Sequence, residues 1–208
     1  MNRIDKNILL AVSIGDGYIR KSGSLQLIHS FKQIEYLKYK VDLVSKILGK
    51  QIKIDLFDNG GYPGCRAYAT DKYFKILRRF LYKNGKKKIT QSVLNRLSPL
   101  GIAIWYMDDG NIALHKRKGK IHSREIYLNT YCSLEEAKII QEFFKKEYNI
   151  YFRCSPSKGY FRMICNTENA KKFAELIRPF IIESLKYKID FRYNLTLDSA
   201  PTEKRVII

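Results

Sequence analysis

Two nine-residue segments of the chain end alike. Leu9-Leu10-Ala11-Val12-Ser13-Ile14-Gly15-Asp16-Gly17 lies near the start, and Ile102-Ala103-Ile104-Trp105-Tyr106-Met107-Asp108-Asp109-Gly110 lies past the middle. Each reads as a short apolar helix stopped by glycine, with a carboxylate held at its last turn. An isolated carboxylate at a buried helix end is costly, so an acid there takes a cation or a partner. The chain also carries 39 Lys and Arg against 20 Asp and Glu, a formal net charge of +19. Two such acids on so basic a chain suggest two halves that bring a pair of acids together over nucleic acid.

The elements that must position these acids are themselves repeated. Lys72 to Phe80 aligns with Lys172 to Phe180 without a gap, and Lys86, Lys88 and Ile89 answer Lys186, Lys188 and Ile189, always 100 residues apart. Ser30-Phe31 and Thr130-Tyr131 keep the same offset. Asp16 and Asp109 are only 93 apart, which places 7 extra residues in the second copy, in the basic stretch Lys116-Arg117-Lys118-Gly119-Lys120. An internal duplication of about this period is too long for a solenoid. It divides the chain into an N-terminal repeat with its linker, residues 1–95, and a C-terminal repeat, residues 96–208. The segment Lys83-Asn84-Gly85-Lys86-Lys87-Lys88 reads as the linker.

Each half gives the same order of elements. After Asp16, Tyr18 to Lys21 and Ser24 to Ser30 form a hairpin turning at Ser22-Gly23. Lys32 to Leu48 carries a helical stripe at Ile34, Leu37, Val41, Val44 and Leu48. Ile52-Ile54-Leu56 alternates as a strand, Arg66 to Thr70 pairs with it, and Lys72 to Tyr82 closes the half as a helix. The second half repeats this with a longer first hairpin, a helix from Leu134 to Tyr148, strands near Tyr151 and Arg162, and a helix from Thr167 to Ile177. The fold class is α+β, with duplicated αββαββα halves and four antiparallel strands in each.

With 45% hydrophobic and 13% aromatic residues, the chain can bury a core. No apolar run is long enough to span a bilayer, and Ile8 to Ile14 is too short for a signal peptide. Cys65, Cys132, Cys154 and Cys165 show no metal spacing and read as reduced core thiols of a reducing compartment. His29, His115 and His122 are expected to be structural or to face nucleic acid.

One face of each sheet packs on helices, and strand alternation sends the intervening side chains to the other. In the first half these are Arg20, Ser24, Gln26, Lys53, Arg66 and Tyr68. In the second they are His115, Arg117, Lys118, Lys120, Arg124, Arg153, Lys158, Tyr160 and Arg162. A basic two-stranded ribbon fits a DNA major groove, where Arg, Lys and Gln read base edges.

The two nonapeptides, the hairpins after them and the repeat resemble the LAGLIDADG homing endonucleases, and Met107-Asp108-Asp109-Gly110 is especially similar to the two-motif, intron-encoded group. The resemblance implies a pseudo-twofold saddle with two antiparallel DNA-binding sheets. In it the motif helices pack side by side and the acids lie near the scissile phosphates. Ala11 and Gly15 sit four apart and allow close approach, whereas Ile104 and Asp108 stand at those positions in the second copy, so the contact must be asymmetric. Position eight of the motif is Asp16 in one copy and Asp109 in the other, which assigns the metal to these two, beside Gly15 and Asp108. Asp108 is expected to cap or hydrogen-bond locally. Two such acids suit Mg²⁺-dependent phosphodiester hydrolysis, with Mn²⁺ able to substitute.

The family places a lysine after the last helix of each half. Lys88 and Lys188 fit that place, with Lys86 and Lys87 adjoining the first of them. The implied activity is a monomeric, site-specific double-strand DNA endonuclease. An intron-splicing RNA maturase and a non-catalytic DNA-binding regulator of the same fold are the alternatives, and intron RNA is the alternative partner. Splicing ends (Cys or Ser at the start, His-Asn at the close) are not seen, so an intein-embedded enzyme is not expected.

Overall fold

The computed structural model describes residues 1–191. Two apolar helices form its centre. α1 (Arg3–Ile14) starts in a capping box, in which the Asn2 side chain accepts from Asp5 N and Asp5 answers to Asn2 N, each at 2.9 Å. α5 (Pro99–Asp109) starts with proline in its first turn and with the Ser98 hydroxyl accepting from Gly101 N. Every residue from Asn7 to Ile14 and from Gly101 to Met107 is buried. A helix that is apolar all round belongs inside, and these two pack against each other.

Around them the same elements occur twice. The first set is β1 (Tyr18–Ile19), β2 (Ser24–Ser30), α2 (Ile34–Leu48), β3 (Ile54–Asp58), β4 (Pro63–Thr70) and α3 (Lys72–Leu81). A hairpin, β5 (Tyr82–Lys83) and β6 (Lys86–Lys87), and a short α4 (Gln91–Leu94) lead to α5. The second set is β7 (Gly110–Arg117), β8 (Lys120–Cys132), α6 (Leu134–Tyr148), β9 (Phe152–Ser157), β10 (Tyr160–Cys165) and α7 (Thr167–Ile177), followed by 3-10 turns over Arg178–Phe180 and Glu183–Ile189. Both four-stranded sheets are antiparallel, in the orders β1-β2-β4-β3 and β7-β8-β10-β9. The α+β class and the duplicated architecture are therefore as the sequence predicts.

Helices α2 and α6 end at left-handed caps, Gly49 and Asn149, which keep the offset of 100. The last helices do not. Their N-caps, Asp71 and Asn166, are 95 apart and their last residues, Leu81 and Ile177, are 96 apart, so over the end of the helices the ungapped alignment of Lys72 with Lys172 is four residues, about one turn, out of step. A slip of about one turn leaves the buried face of a helix unchanged. Phe74, Leu77 and Leu81 are buried, and so are the residues 96 and 100 positions further on.

The linker also differs from expectation. Asn84 and Gly85 take positive φ (49° and 77°), the conformation of a tight two-residue hairpin, and the segment folds back on itself as β5 and β6. The four cysteines are free thiols. Among the described residues no helix is long and apolar enough to cross a membrane.

Candidate active site and nucleic-acid interface

The central helices end side by side. A Cβ placed on Gly15 would stand 2.3 Å from Asp108 Oδ2, so glycine is required for the approach and Asp108 fills the space it leaves. The Asp108 side chain is fully buried. Its Oδ1 is 2.7 Å from the equally buried Lys40 Nζ of α2, and its Oδ2 accepts from the Asp16 backbone N–H at 3.0 Å. The asymmetric contact is present. Asp108 does not bond locally, however, because its partners are 68 and 92 residues away. Lys40 also lies 4.6 Å over the Tyr36 ring, whose hydroxyl donates to Ile104 O at 2.9 Å.

Asp16 is the more open acid, its side chain 43% exposed, with Oδ2 3.7 Å from His29 Nδ1. His29 is buried, and burial and then the Lys40 ammonium push its pKa down to about 4, so the ring is neutral beside Asp16. Its Nδ1 lies 3.1 Å from Gln33 Oε1. Asp109 accepts from Trp105 Nε1 at 3.0 Å, and its backbone oxygen accepts from Asn129 Nδ2 at the same distance. Burial, then the charges of Asp108 and Asp16, raise Asp109 to about 7. Burial and Asp108 also raise Asp16.

Asp16 and Asp109, both raised by burial and by the charge of Asp108, fit a divalent cation that would offset that cost. Both Asp108 oxygens are engaged and its charge is met by Lys40. Asp16 and Asp109 are the acids with oxygens left to give, and hard oxygen donors suit Mg²⁺ or Mn²⁺. They line one cavity of about 300 Å³ together with Lys87 and Asn129.

Two lysines reach the helix ends in matching ways. Lys188 Nζ donates to Met107 O at 2.5 Å, and Lys87 Nζ donates to Gly15 O and, at 3.4 Å, to Ile14 O. Burial lowers the pKa of both, offset by the charges of the three acids. Lys88 lines the same cavity, but its ammonium lies 3.4 Å from Glu136, which also accepts from Ile89 N, and it bonds neither helix-end carbonyl. The partner of Lys188 across the repeat is thus Lys87, not Lys88. A hairpin stands in one half where a 3-10 turn stands in the other, so the offset of 100 fails there by one residue. Gly17 and Gly110 close the two motifs, where a Cβ would meet Val12 O at 2.0 Å and the Tyr106 ring at 2.1 Å respectively.

The outer sheet faces carry most of the expected interface residues. In the first half, Arg20 lies 5.2 Å over the Tyr68 ring and 3.4 Å from Gln26, and Gln26 donates to the Tyr68 hydroxyl. Arg66 stacks over Phe57 and Tyr68 on the same face. Ser24 opens β2, and Lys53 is exposed just before β3. In the second half, Arg162 lies 4.8 Å over Tyr127, Arg153 reaches Glu125 at 3.1 Å, and His115 reaches it at 3.0 Å. Arg117, Lys118 and Lys120 are exposed around the tip of the long β7–β8 hairpin, and Lys158 and Tyr160 at the β9–β10 turn.

Arg124 is an exception. Its backbone N–H donates to Thr167 Oγ1 and its Nε to Phe191 O, so it faces the helices and the C-terminal turn. The register shifts by one residue where His115 pairs with Ser123 and Lys116 with Ile121, leaving His122 as a bulge. Ile126 and Leu128 are buried, so Arg124 shares their inner face while Glu125 and Tyr127 face outward, and the extra residue at the bulge returns Lys120 to the outer face.

A family model described as the LAGLIDADG DNA endonuclease family matches residues 6–173. The chain belongs to this family. Among solved structures, the homing endonuclease I-WcaI bound to its DNA recognition sequence matches with a TM-score of 0.75 and 22% identity, over 91% of this chain and 87% of that one, a likeness of fold. The protein named Protein RecA from Mycobacterium shimoidei is 26% identical over 196 residues, covering 88% of this chain and 45% of that protein. The cytochrome b mRNA maturase bI2 of Debaryomyces hansenii is 29% identical over 143 residues, 67% of this chain and 52% of that protein. The chain thus spans about half the length of these curated relatives.

Set in the LAGLIDADG framework, Asp16 and Asp109 are the final acids of the two motifs, and the structure brings them into one cavity. Sequence reasoning missed Lys40 beside Asp108, named Lys87 only as a neighbour of Lys88 and gave His29 no place beside Asp16; on the outer face of the second sheet it missed Glu125. Lys40 did leave a signal. It sits three residues after Leu37 and four before Val44 on the apolar stripe of α2, where a lysine must find a buried anion. Glu125 left one as well, because it and Tyr127 alternate with the apolar Ile126 and Leu128.

Proposed function

We propose that this LAGLIDADG protein is a monomeric, site-specific DNA endonuclease that hydrolyses one phosphodiester in each strand of a long, asymmetric duplex site. Residues 1–95 and 96–208 each serve one half-site. The observation that carries this reading is the meeting of Asp16, Asp109 and Lys87 in one cavity, at the end of two abutting helices flanked by basic sheets.

Asp16 and Asp109 would hold a divalent metal, Mg²⁺ or Mn²⁺. When bound, such a metal lowers the pKa of an attacking water and stabilises charge on the phosphate oxygens. Lys87 and Lys188, fixed by backbone carbonyls, keep compact positive charge beside the reacting phosphates. Neutral His29 adds no competing charge, and Lys40 neutralises Asp108 so that the two outer acids need not share a cation with it. Trp105 fixes the Asp109 carboxylate in one orientation. Arg20, Gln26, Arg66, Arg153 and Arg162 are proposed to contact bases and phosphates through the two outer faces, with Arg117, Lys118 and Lys120 reaching further on one side.

The test is cleavage of a plasmid library of intron-less insertion sites, with Mg²⁺ and with EDTA. Linear product in Mg²⁺, lost in EDTA with DNA still bound, supports the reading. Tight binding without cutting in any divalent metal overturns it. A second reading, an RNA-binding splicing maturase, is favoured by the likeness to the cytochrome b maturase. Retention of both motif acids counts against a purely non-catalytic regulator.

A further inference from the structure

At the end of α1 away from Asp16 lies a second concave site. Thirteen residues separate Arg3 from Asp16, roughly 20 Å along a helix. Here α1, α3 and the segment after α4 enclose a groove of about 360 Å³. Its floor and walls are Leu10, Leu77, Tyr73 and Phe80, and its rim is Arg3, Lys6 and Arg96, with no acidic residue lining it. Arg96 stacks its guanidinium 4.6 Å over the Phe80 ring and donates to Ser92 O. Arg3 and Lys6 are exposed, and their side chains make no ion pair or hydrogen bond among the described residues. Asn95 accepts from Gln91 through Oδ1, leaving its Nδ2 without a protein acceptor among the described residues.

The composition selects the occupant. Ligand clefts run to roughly 300–1,000 Å³, so this one takes a single small group and not a helix. Aromatic walls beside unpaired cations suit a planar ring with a phosphate attached, and an amide at the edge suits a base edge. A duplex hides its base faces in the stack, whereas an unpaired strand offers them. We propose that this groove binds an unpaired nucleotide of a single-stranded nucleic acid, independently of the surface that holds duplex DNA. The base lies against Phe80 and Tyr73, and its flanking phosphates meet Arg3, Lys6 and Arg96. The placement lets one molecule hold a duplex over its acids and a single strand at the far end of α1. It stands whether or not the protein cleaves DNA.

Fluorescence anisotropy tests it with labelled oligouridylate, labelled oligodeoxyuridylate and a random-sequence duplex. Both single strands are expected to bind to protein already saturated with the duplex. Stronger binding of oligouridylate means that the 2′-hydroxyl is read and RNA is the source. Equal binding means that base and phosphate alone are read. Arg3→Glu with Lys6→Glu should weaken single-strand binding by at least about 10-fold and duplex binding by less than about 2-fold. Arg66→Glu with Arg162→Glu should do the reverse. Arg3 and Lys6 are exposed and Arg66 and Arg162 partly so, and an unchanged melting temperature shows that each variant is folded. Phe80→Ala in folded protein should cost single-strand binding roughly 5- to 100-fold. Displacement of the single strand by duplex, or equal losses on both ligands in either charge-reversed variant, overturns the proposal.

Discussion

The two acid-bearing helix ends share a plan but not an environment. At the end of α1, Asp16 is half-open, lies 3.7 Å from a neutral histidine, and has its backbone N–H held by the neighbouring helix. At the end of α5, Asp109 is held by Trp105 and raised to about 7, and the residue before it is a buried aspartate paired with Lys40. Position seven of the motif is glycine in one copy and aspartate in the other, and each needs the other. The glycine makes room and the aspartate fills it. Duplicated halves can therefore keep acids and lysines in matching places while the packing between them becomes a lock-and-space pair that neither half could form with its own copy.

The largest effect should come from the acids themselves. Asp16→Asn and Asp109→Asn are each expected to lower double-strand cleavage by at least ~10³-fold while leaving DNA affinity within a few-fold, since each removes a proposed metal ligand and no backbone contact. Plasmid linearisation and gel shift read the two quantities. Cleavage surviving in Asp109→Asn but lost in Asp108→Asn would break the assignment of the second motif.

Next is the buried pair. Lys40→Met leaves Asp108 as an uncompensated buried charge and should cost about 3–5 kcal/mol in chemical denaturation. Lys40→Met with Asp108→Leu should recover much of that, although the Asp16 N–H then loses its acceptor. If the single and double variants are equally unstable, the pair is not what joins the halves.

The lysines sharpen the comparison further. Lys87→Ala and Lys188→Ala should each slow cleavage by roughly 10- to 1,000-fold. Lys88→Ala should leave the rate near wild type and remove only a partly exposed ion pair with Glu136, worth at most ~1 kcal/mol. A rate lost with Lys88 and kept without Lys87 would reverse the pairing drawn here.

The smallest effect should be the most lopsided. Deleting Lys116 to Lys120 should weaken binding modestly, reduce its salt dependence and shorten the DNase footprint on one side of the cut only. A footprint that shrinks on both sides would mean that the long hairpin does not serve one half-site.

How much was legible beforehand depended on the range of the information. The sequence by itself determined the elements, their duplication, the two acids and the extra reach of the second hairpin, because helix stripes, strand alternation and Asp-Gly stops are written in neighbouring residues. Even the misaligned last helices kept the right buried face, since a slip of about one turn does not rotate a helix. Strands are less forgiving. The bulge at His122 keeps Lys120 on the outer face but leaves Arg124 on the inner face of Ile126 and Leu128, and the β5–β6 hairpin sent Lys87 rather than Lys88 to the helix end, because one residue is half a strand period. Only the tertiary structure decided that Lys40 and Asp108, 68 residues apart, form one buried pair. No local spacing records that contact; it exists because α2 packs across the place where Gly15 lets the two central helices touch.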